Sequence, residues 1–264
     1  MPSFQSKDGT PLSYRQSGSG PPLLLVHGTG TDAARWRPVL PLLEPRFAVF
    51  ALDRRGHGLS GDAAAYALEQ EFEDISAMIE TMAAGPVDVI AHSYGGLCAL
   101  GAASQGARLR RLVVYEPPLP MLPGAYFSPD LITAMGELMA RGDNAGAVAA
   151  FAIDALKLAP QELAGMRRLA SWSVLEARAA IVWRELQAVE RLSGHPEAFR
   201  ECRVPTLLIL GGDSPPQYRA TAEGLHAVLA SSRIAILEGQ AHAAINAAPA
   251  LFMQEALAFL SGPE

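Results

Sequence analysis

Short apolar runs recur along the chain and alternate with longer amphipathic stretches. The runs are almost continuously apolar, as strands covered on both faces are, and they comprise residues 23–26, 47–52, 87–90, 112–115, 206–210 and 234–237. Residues 3–7 and 11–16 flank Asp8-Gly9 and predict a hairpin before the first run. Because helical patterns separate most of the runs, the sequence predicts an α/β fold. We expect a twisted, mostly parallel eight-stranded sheet that starts antiparallel and carries helices on both faces.

The alternation stops between residues 118 and 203. Prolines punctuate the start of this segment, and the remainder is rich in Ala, Leu, Met, Arg and Glu. We expect helices near 130–141, 144–157 and 161–192, the last with a possible interruption. The pattern therefore predicts a helical cap inserted between strands 6 and 7. The predicted core domain comprises residues 1–117 and 204–264, and the cap comprises residues 118–203.

Composition narrows the classes of partner. The chain has 264 residues, half of them hydrophobic, which suits one large core with an inserted lobe. Its formal net charge of −6 leaves no basic stripe for nucleic acid. No apolar signal region or membrane-length segment is evident, so we expect a cytoplasmic protein without a membrane partner. Cys98 and Cys202 lie in apolar surroundings and predict reduced, buried thiols. Because neither has metal-ligand spacing and the histidines are scattered, a metal site has no support, and we expect no cofactor.

One serine lies between a predicted buried strand and a predicted helix. It is the centre of His92-Ser93-Tyr94-Gly95-Gly96, with small residues two positions away at Ala91 and Gly95. A nucleophile elbow needs such flanks because the chain turns sharply with strained backbone angles at the serine. Ala91 replaces the first glycine of the usual G-x-S-x-G pattern. Ser93 is therefore the candidate nucleophile, provided that partners exist elsewhere.

Other polar motifs follow the carboxyl ends of the predicted strands, where open α/β sheets place their binding crevice. They are His27-Gly28-Thr29-Gly30, the segment 53–60 (DRRGHGLS), Gly211-Gly212-Asp213 and Gly239-Gln240-Ala241-His242. Together with the elbow, these motifs resemble those of the α/β-hydrolase fold family over essentially the whole chain outside the cap. The order Ser, Asp, His is the one that family uses. Ala241 stands where relatives usually have glycine.

The resemblance implies a role for each motif. His242 would accept the proton of Ser93, and Asp213 would orient the histidine and stabilise its protonated form. The backbone N–H groups of Thr29 and Tyr94 would form the oxyanion hole. Glu116, at the end of the sixth run, is the competing acid; we favour Asp213 for its Gly-Gly-Asp context. His27 and His57 match positions that brace loops in the family.

A serine nucleophile, where an aspartate would indicate dehalogenase or epoxide hydrolase chemistry, predicts acyl transfer to water. The function expected is hydrolysis of an ester, lactone or related acyl bond of a small hydrophobic substrate. Candidate substrate contacts are Gly28, Glu116, Met121 and Trp172. A carbon–carbon (diketone) hydrolase, a cyclase-like enzyme and a ligand receptor on the same fold stay open as alternatives, as does a monomer or a homodimer.

Overall fold

One mixed sheet forms the centre of the protein in the computed structural model, which describes residues 1–121, 126–169, 171–192 and 195–262. Residues 122–125, 170, 193–194 and 263–264 of the predicted cap and core lie outside the described residues. Eight strands are found in the described part: β1 (Ser3–Gln5), β2 (Pro11–Gly18), β3 (Pro22–Val26), β4 (Ala48–Leu52), β5 (Val87–His92), β6 (Leu109–Tyr115), β7 (Thr206–Gly211) and β8 (Ser232–Leu237).

The strand order is β1-β2-β4-β3-β5-β6-β7-β8. Strand β2 pairs antiparallel with β1 and with β4, and the pairs from β4 to β8 are parallel. The predicted fold class, an α/β-hydrolase sheet with an antiparallel start, is confirmed. Parallel pairing brings the carboxyl ends of β3 to β8 to one edge of the sheet, where the chemical motifs of the sequence begin.

Burial on both faces explains the apolar runs. In β3, Leu24 and Val26 join the core on one face of the sheet, and Leu23 and Leu25 join the core on the other. Full burial of each such side chain contributes about 1.5–3 kcal/mol. The central strands are therefore fixed in register, because a slip of one residue would exchange the two faces.

Helices cover both faces of the sheet and fill the inserted segment. Within the described residues they are α1 (Leu40–Leu43), α2 (Leu68–Met82), α3 (Tyr94–Ser104), α4 (Pro129–Ala140), α5 (Asn144–Ala150), α6 (Pro160–Met166), α7 (Ser171–Ala177), α8 (Ala179–Arg191), α9 (Pro216–Val228), α10 (Ala244–Ala247) and α11 (Pro249–Leu260). Gly101 of α3 gives Phe72 of α2 room to pack against its backbone, since a Cβ at Gly101 would overlap the Phe72 ring. This close packing supports the helix that follows Ser93.

Helices α4 to α8 lie between β6 and β7 and share a hydrophobic cluster of their own. We call this segment, residues 118–203, the cap. The helix expected over 161–192 is divided, because the segment contains α6, α7 and α8. The break before α8 falls at Arg178, whose backbone leaves helical geometry (φ −106°, ψ 14°) while its guanidinium donates to the Gly58 carbonyl at 3.0 Å. Among the described residues, no helix has the length and apolarity needed to cross a membrane.

Candidate active site

Ser93 occupies a strained turn between β5 and α3. Its backbone angles are φ 53° and ψ −127°, a left-handed conformation that is rare for residues with a side chain. Such strain costs about 1–3 kcal/mol and persists where the surrounding structure enforces it. The enforcing contacts include a hydrogen bond from Ser93 N–H to the Tyr115 carbonyl of β6 at 2.8 Å. The expected strand–serine–helix context is therefore present, with the side chain held at the edge of the sheet.

Gly95 is the small residue that this turn requires. A Cβ at Gly95 would overlap the His27 carbonyl oxygen and lie 2.7 Å from that of Val26. On the other side of the serine, Ala91 is fully buried, so the methyl group that replaces the usual glycine is accommodated in the core. The elbow thus depends on Gly95 and tolerates Ala91.

The loop after β3 lies directly against the nucleophile. A Cβ at Gly28 would stand 2.8 Å from the Ser93 Cβ, so only glycine allows this approach. His27 braces the loop, because its Nδ1–H donates to the Gly28 carbonyl at 2.8 Å and its Nε2 accepts from Arg54 N–H at 3.1 Å. Burial lowers the pKa of His27 well below its usual range, which keeps the ring neutral with this pattern of bonds.

His242 and Glu116 form a hydrogen-bonded pair at the same edge of the sheet. His242 Nδ1–H donates to Glu116 Oε2 at 2.7 Å, and the Glu116 side chain is buried. The Gly211 N–H at the end of β7 donates to Glu116 Oε1 at 2.8 Å and fixes the carboxylate. Glu116 also has a left-handed backbone, with φ 47°. With Nδ1 donating to a carboxylate, the other ring nitrogen of His242 can accept a proton, as a general base must.

The predicted partner of His242, Asp213, is not the residue that contacts it. Asp213 is exposed, and its backbone N–H donates to the Gln240 carbonyl at 2.9 Å. The reason is the turn after β7: Gly211 uses its N–H to hold Glu116, and the chain then carries Asp213 outward. The competing acid, Glu116, therefore takes the place against the histidine that we expected of Asp213.

Aromatic rings surround His242. The Tyr218 ring, from α9, stacks on the imidazole with centroids 5.0 Å apart and an interplanar angle of 25°. The His92 ring lies 4.6 Å away at 37°, and its Nε2–H donates to the His242 carbonyl at 3.2 Å. Burial lowers the pKa of His92 well below its usual range, so its ring is neutral. Tyr115 donates its hydroxyl to the Ala241 carbonyl and supports the same loop. Tyr115 and Tyr218 were not anticipated, since only their spatial contacts distinguish them from core aromatics.

A buried charged cluster lies beneath the elbow. Arg54 donates to Glu185 of the cap helix α8, stands 3.5 Å (Nε to Oε2) from Glu71, and lies 4.8 Å from the centroid of the Tyr94 ring. Burial raises the pKa of Glu71 to about 7. Burial also opposes ionisation of Glu185, but the nearby charge of Arg54 outweighs this effect, so the pKa of Glu185 is lowered. His57 donates to Glu185 from Nε2 at 2.9 Å. Core and cap are thus joined by an ion pair that is inaccessible to water.

The four predicted substrate contacts divide into two pairs. Gly28 and Glu116 lie at the site, against Ser93 and His242 respectively. Met121 packs against Gly224 of α9, and Trp172 is buried in the cap cluster. These contacts give Met121 and Trp172 packing roles, and contact of any of the four residues with a substrate stays a prediction.

The fold and this arrangement at the carboxyl edge of the sheet define the α/β-hydrolase class. A family model described as "Alpha/beta hydrolase family" matches residues 23–255, so the chain belongs to that family. Its similarity extends to a solved structure of an alpha/beta hydrolase from Sphaerobacter thermophilus, with a TM-score of 0.85 and 34% sequence identity over 98% of this chain and 100% of that one.

Proteins named as hydrolases are among its relatives. The chain is 36% identical over 104 residues to the 2-(acetamidomethylene)succinate hydrolase of Mesorhizobium japonicum. This alignment covers 39% of this chain and 37% of that protein. It is 27% identical over 230 residues to the pimeloyl-[acyl-carrier protein] methyl ester esterase of Neisseria meningitidis, which covers 83% and 85% of the two chains. The first of these alignments therefore spans less than half of the relative's length, whereas the second spans most of it.

Proposed function

We propose that the protein is a serine hydrolase that cleaves an ester, lactone or related acyl bond through an acyl-enzyme on Ser93. The observation that carries the proposal is the strained Ser93 at the same sheet edge as the hydrogen-bonded pair of His242 and Glu116. A strained serine and an oriented histidine are the two parts that nucleophilic catalysis needs. In this proposal Glu116, and not Asp213, is the acid of the triad.

The reaction proceeds in two acyl-transfer steps. The Ser93 Oγ attacks the carbonyl carbon of the substrate while His242 Nε2 takes the hydroxyl proton, so that a C–O bond forms and the carbonyl π electrons move to oxygen. When the tetrahedral intermediate collapses, the bond to the leaving group breaks and His242 returns the proton to that group. Water then attacks the acyl-enzyme with the same base and releases the acid and free Ser93.

Charge on the intermediates would be stabilised from two sides. The backbone N–H groups of Thr29 and Tyr94 are assigned to the oxyanion, since Gly28 lies against Ser93 and Tyr94 opens α3, whose helix dipole favours negative charge. Each such donor is worth about 3–4 kcal/mol in the transition state. On the other side, Glu116 stabilises the imidazolium through the Nδ1–H bond.

The loop beside Ser93 is bordered by apolar side chains of the cap. Leu175 and Val182 of the cap come down onto Gly30 in the loop after β3, where a Cβ would stand 2.8 Å from Leu175 Cδ1. Apolar walls with a few polar groups are typical of small-molecule sites. The Neisseria relative is a methyl ester esterase, which supports the same class of substrate. We therefore expect the substrate to be a small hydrophobic ester or lactone.

Labelling with a fluorophosphonate tests the proposal directly. We expect a covalent adduct on the peptide that contains Ser93, hydrolysis of p-nitrophenyl butyrate, and loss of both in Ser93→Ala. Ser104→Ala, on the same helix, is the matched control, because Ser104 donates only to backbone carbonyls and should leave both signals intact. Full activity in Ser93→Ala would refute the proposal.

A substrate panel separates the alternatives within the same experiment. It includes short esters, lactones, a vinylogous 1,5-diketone and 2-(acetamidomethylene)succinate. Turnover of the diketone with negligible ester hydrolysis would favour carbon–carbon cleavage. Ligand binding that is unaffected by Ser93→Ala, without turnover of any member of the panel, would favour a receptor.

A further inference from the structure

Tyr218 contacts the histidine that the proposed function uses as base, although it lies on a different element from every group of the proposed triad. It stands in the first turn of α9, and only 9% of its surface is exposed. Its ring is nearly parallel to that of His242, at 25°, with centroids 5.0 Å apart. Of the rings around His242, that of Tyr218 is the most nearly parallel to it.

A second aromatic ring and a backbone hydrogen bond support the position of the Tyr218 ring. Tyr126, at the start of the cap, meets it edge-on with centroids 6.0 Å apart and an interplanar angle of 83°. The turn before α9 is anchored by Gly211 N–H, which donates to Glu116. The segment after β7, which was expected to supply the acid, therefore supplies a backbone donor to the acid and a ring to the base.

Protonation of His242 is the step that such a ring would influence. The aromatic face carries partial negative charge, so it attracts a cation placed over it. The titratable and charged groups around the His242 ring come from four elements: Glu116 and Tyr115 at the end of β6, His92 at the end of β5, Tyr218 on α9, and Arg35 of the turn after β3, whose charge acts on His92 and Tyr115. Of these, Glu116 contacts the imidazole through the Nδ1–H bond, and Tyr218 and His92 contact it through their rings.

Tyr218 itself stays uncharged over the working range, because burial raises the pKa of its hydroxyl above the ordinary value. Its contribution is therefore that of a neutral ring. We propose that Tyr218 is a positioning residue that holds the His242 ring in its hydrogen bond with Glu116 and stabilises its protonated form through the aromatic face. This inference rests on the proposed function, since it assumes that His242 is the general base.

The test compares Tyr218→Phe, which keeps the ring, with Tyr218→Leu, which removes it, in the pH profile of kcat/KM for p-nitrophenyl butyrate. A cation–π contact of ordinary strength predicts that Tyr218→Leu loses about 2- to 30-fold in kcat. The midpoint of the acidic limb should move down by about 0.4–1.5 pH units. We expect Tyr218→Phe to stay near the wild-type profile and KM to change little in either variant.

Tyr14→Leu is the control for losing a partly buried aromatic ring, because Tyr14 packs with Phe4 and Phe50 on β1, β2 and β4 away from the site. It should leave the midpoint in place. A series of singly and multiply fluorinated phenylalanines at position 218 keeps the shape of the ring while weakening its negative face. That series provides the test if Tyr218→Leu does not fold, and the midpoint should fall stepwise with fluorine content.

A folded Tyr218→Leu or a fluorinated series with an unmoved midpoint would overturn the inference, even if activity fell. The proposed function has its own readout in the same panel. If Ser93→Ala and His242→Ala abolish hydrolysis while the midpoint is insensitive to position 218, the triad stands and only the role of Tyr218 is lost. If those two variants keep full activity, the proposed function fails whatever position 218 does.

Discussion

The identity of the acid can be tested by removing the charge of Glu116 while keeping its shape. In the wild type, Gly211 N–H donates to Glu116 Oε1 at 2.8 Å, and in Glu116→Gln the amide oxygen can still accept this hydrogen bond. That bond would turn the NH₂ group of the new side chain toward His242 Nδ1, which stands 2.7 Å from the present Oε2. Two donors cannot face each other, so the imidazole must place its proton on Nε2.

The magnitude follows from this change of tautomer. With its proton on Nε2, His242 cannot accept the proton of Ser93, and the carboxylate charge that would stabilise the imidazolium is also gone. The same change in a serine triad costs about 10⁴-fold in kcat. A loss of that size is equivalent to about 5.5 kcal/mol of transition-state stabilisation. We expect KM to change little, because Glu116 is behind the histidine and is buried.

The assay measures kcat for p-nitrophenyl butyrate and the rate of fluorophosphonate labelling, with Asp213→Asn as the matched control. Asp213 is exposed and should lose less than about threefold, the range of an ordinary surface substitution. Thermal unfolding of both variants checks that the fold is kept. The assignment is refuted if Asp213→Asn loses more than about a hundredfold while Glu116→Gln retains most of its activity, the pattern that a triad acid at Asp213 would give.

Three further perturbations test other parts of the structure. Gly95→Ala should abolish labelling of Ser93 or unfold the protein, because the added methyl overlaps the His27 carbonyl; normal labelling in a folded variant would contradict this view of the elbow. Glu71→Gln should remove a pH dependence of stability. The pKa of Glu71 is raised to about 7 from an ordinary 4.5, so this group stabilises the folded state at low pH, and that contribution is lost as the pH rises through 7. The free energy of unfolding, measured in urea, should therefore fall on the order of 2 kcal/mol more in the wild type than in the variant between about pH 5 and pH 8. Equal decreases in the two proteins would refute the raised pKa of Glu71. Arg184→Ala removes a bidentate but partly exposed ion pair with Asp62. The substitution should lower the free energy of unfolding by less than about 1 kcal/mol, and by less still in high salt. A larger decrease that does not depend on salt would contradict this expectation.

The sequence was most informative where backbone geometry restricts the residue type. The strand–serine–helix pattern with Gly95 led to Ser93, because a side chain at that glycine would collide with the carbonyls after β3. The loop at Gly28 was found because it follows a predicted strand and matches a motif of the family. The parallel sheet with its antiparallel start followed from buried apolar runs that alternate with helical patterns.

Side-chain direction was the part that the sequence did not encode locally. Asp213 and Glu116 both follow buried strands, and nothing in Gly-Gly-Asp or Tyr-Glu-Pro says which carboxylate turns inward. The deciding features are the left-handed backbone at Glu116 and the hydrogen bond from Gly211, a residue 95 positions away. Tyr218 escaped prediction for a similar reason, since stacking on His242 depends on where α9 docks.

The location of Glu116 also explains how the site is built. His92 and Tyr115 are register partners at the ends of β5 and β6, so Ser93 and Glu116 are the next residue on each of two neighbouring strands. Both have left-handed backbones, φ 53° and φ 47°, and the Ser93 N–H donates to Tyr115, the residue before the acid. This hydrogen bond joins the two turns, so each helps to hold the other in its strained conformation, which costs about 1–3 kcal/mol per turn. Glu116, directly after β6, is the carboxylate that contacts His242. The turn after β7 contributes in two other ways, because Gly211 donates its N–H to Glu116 and α9 places the Tyr218 ring on the histidine. It follows that the exposed position 213 should accept many substitutions, whereas position 211 should not and position 218 should accept only another aromatic ring.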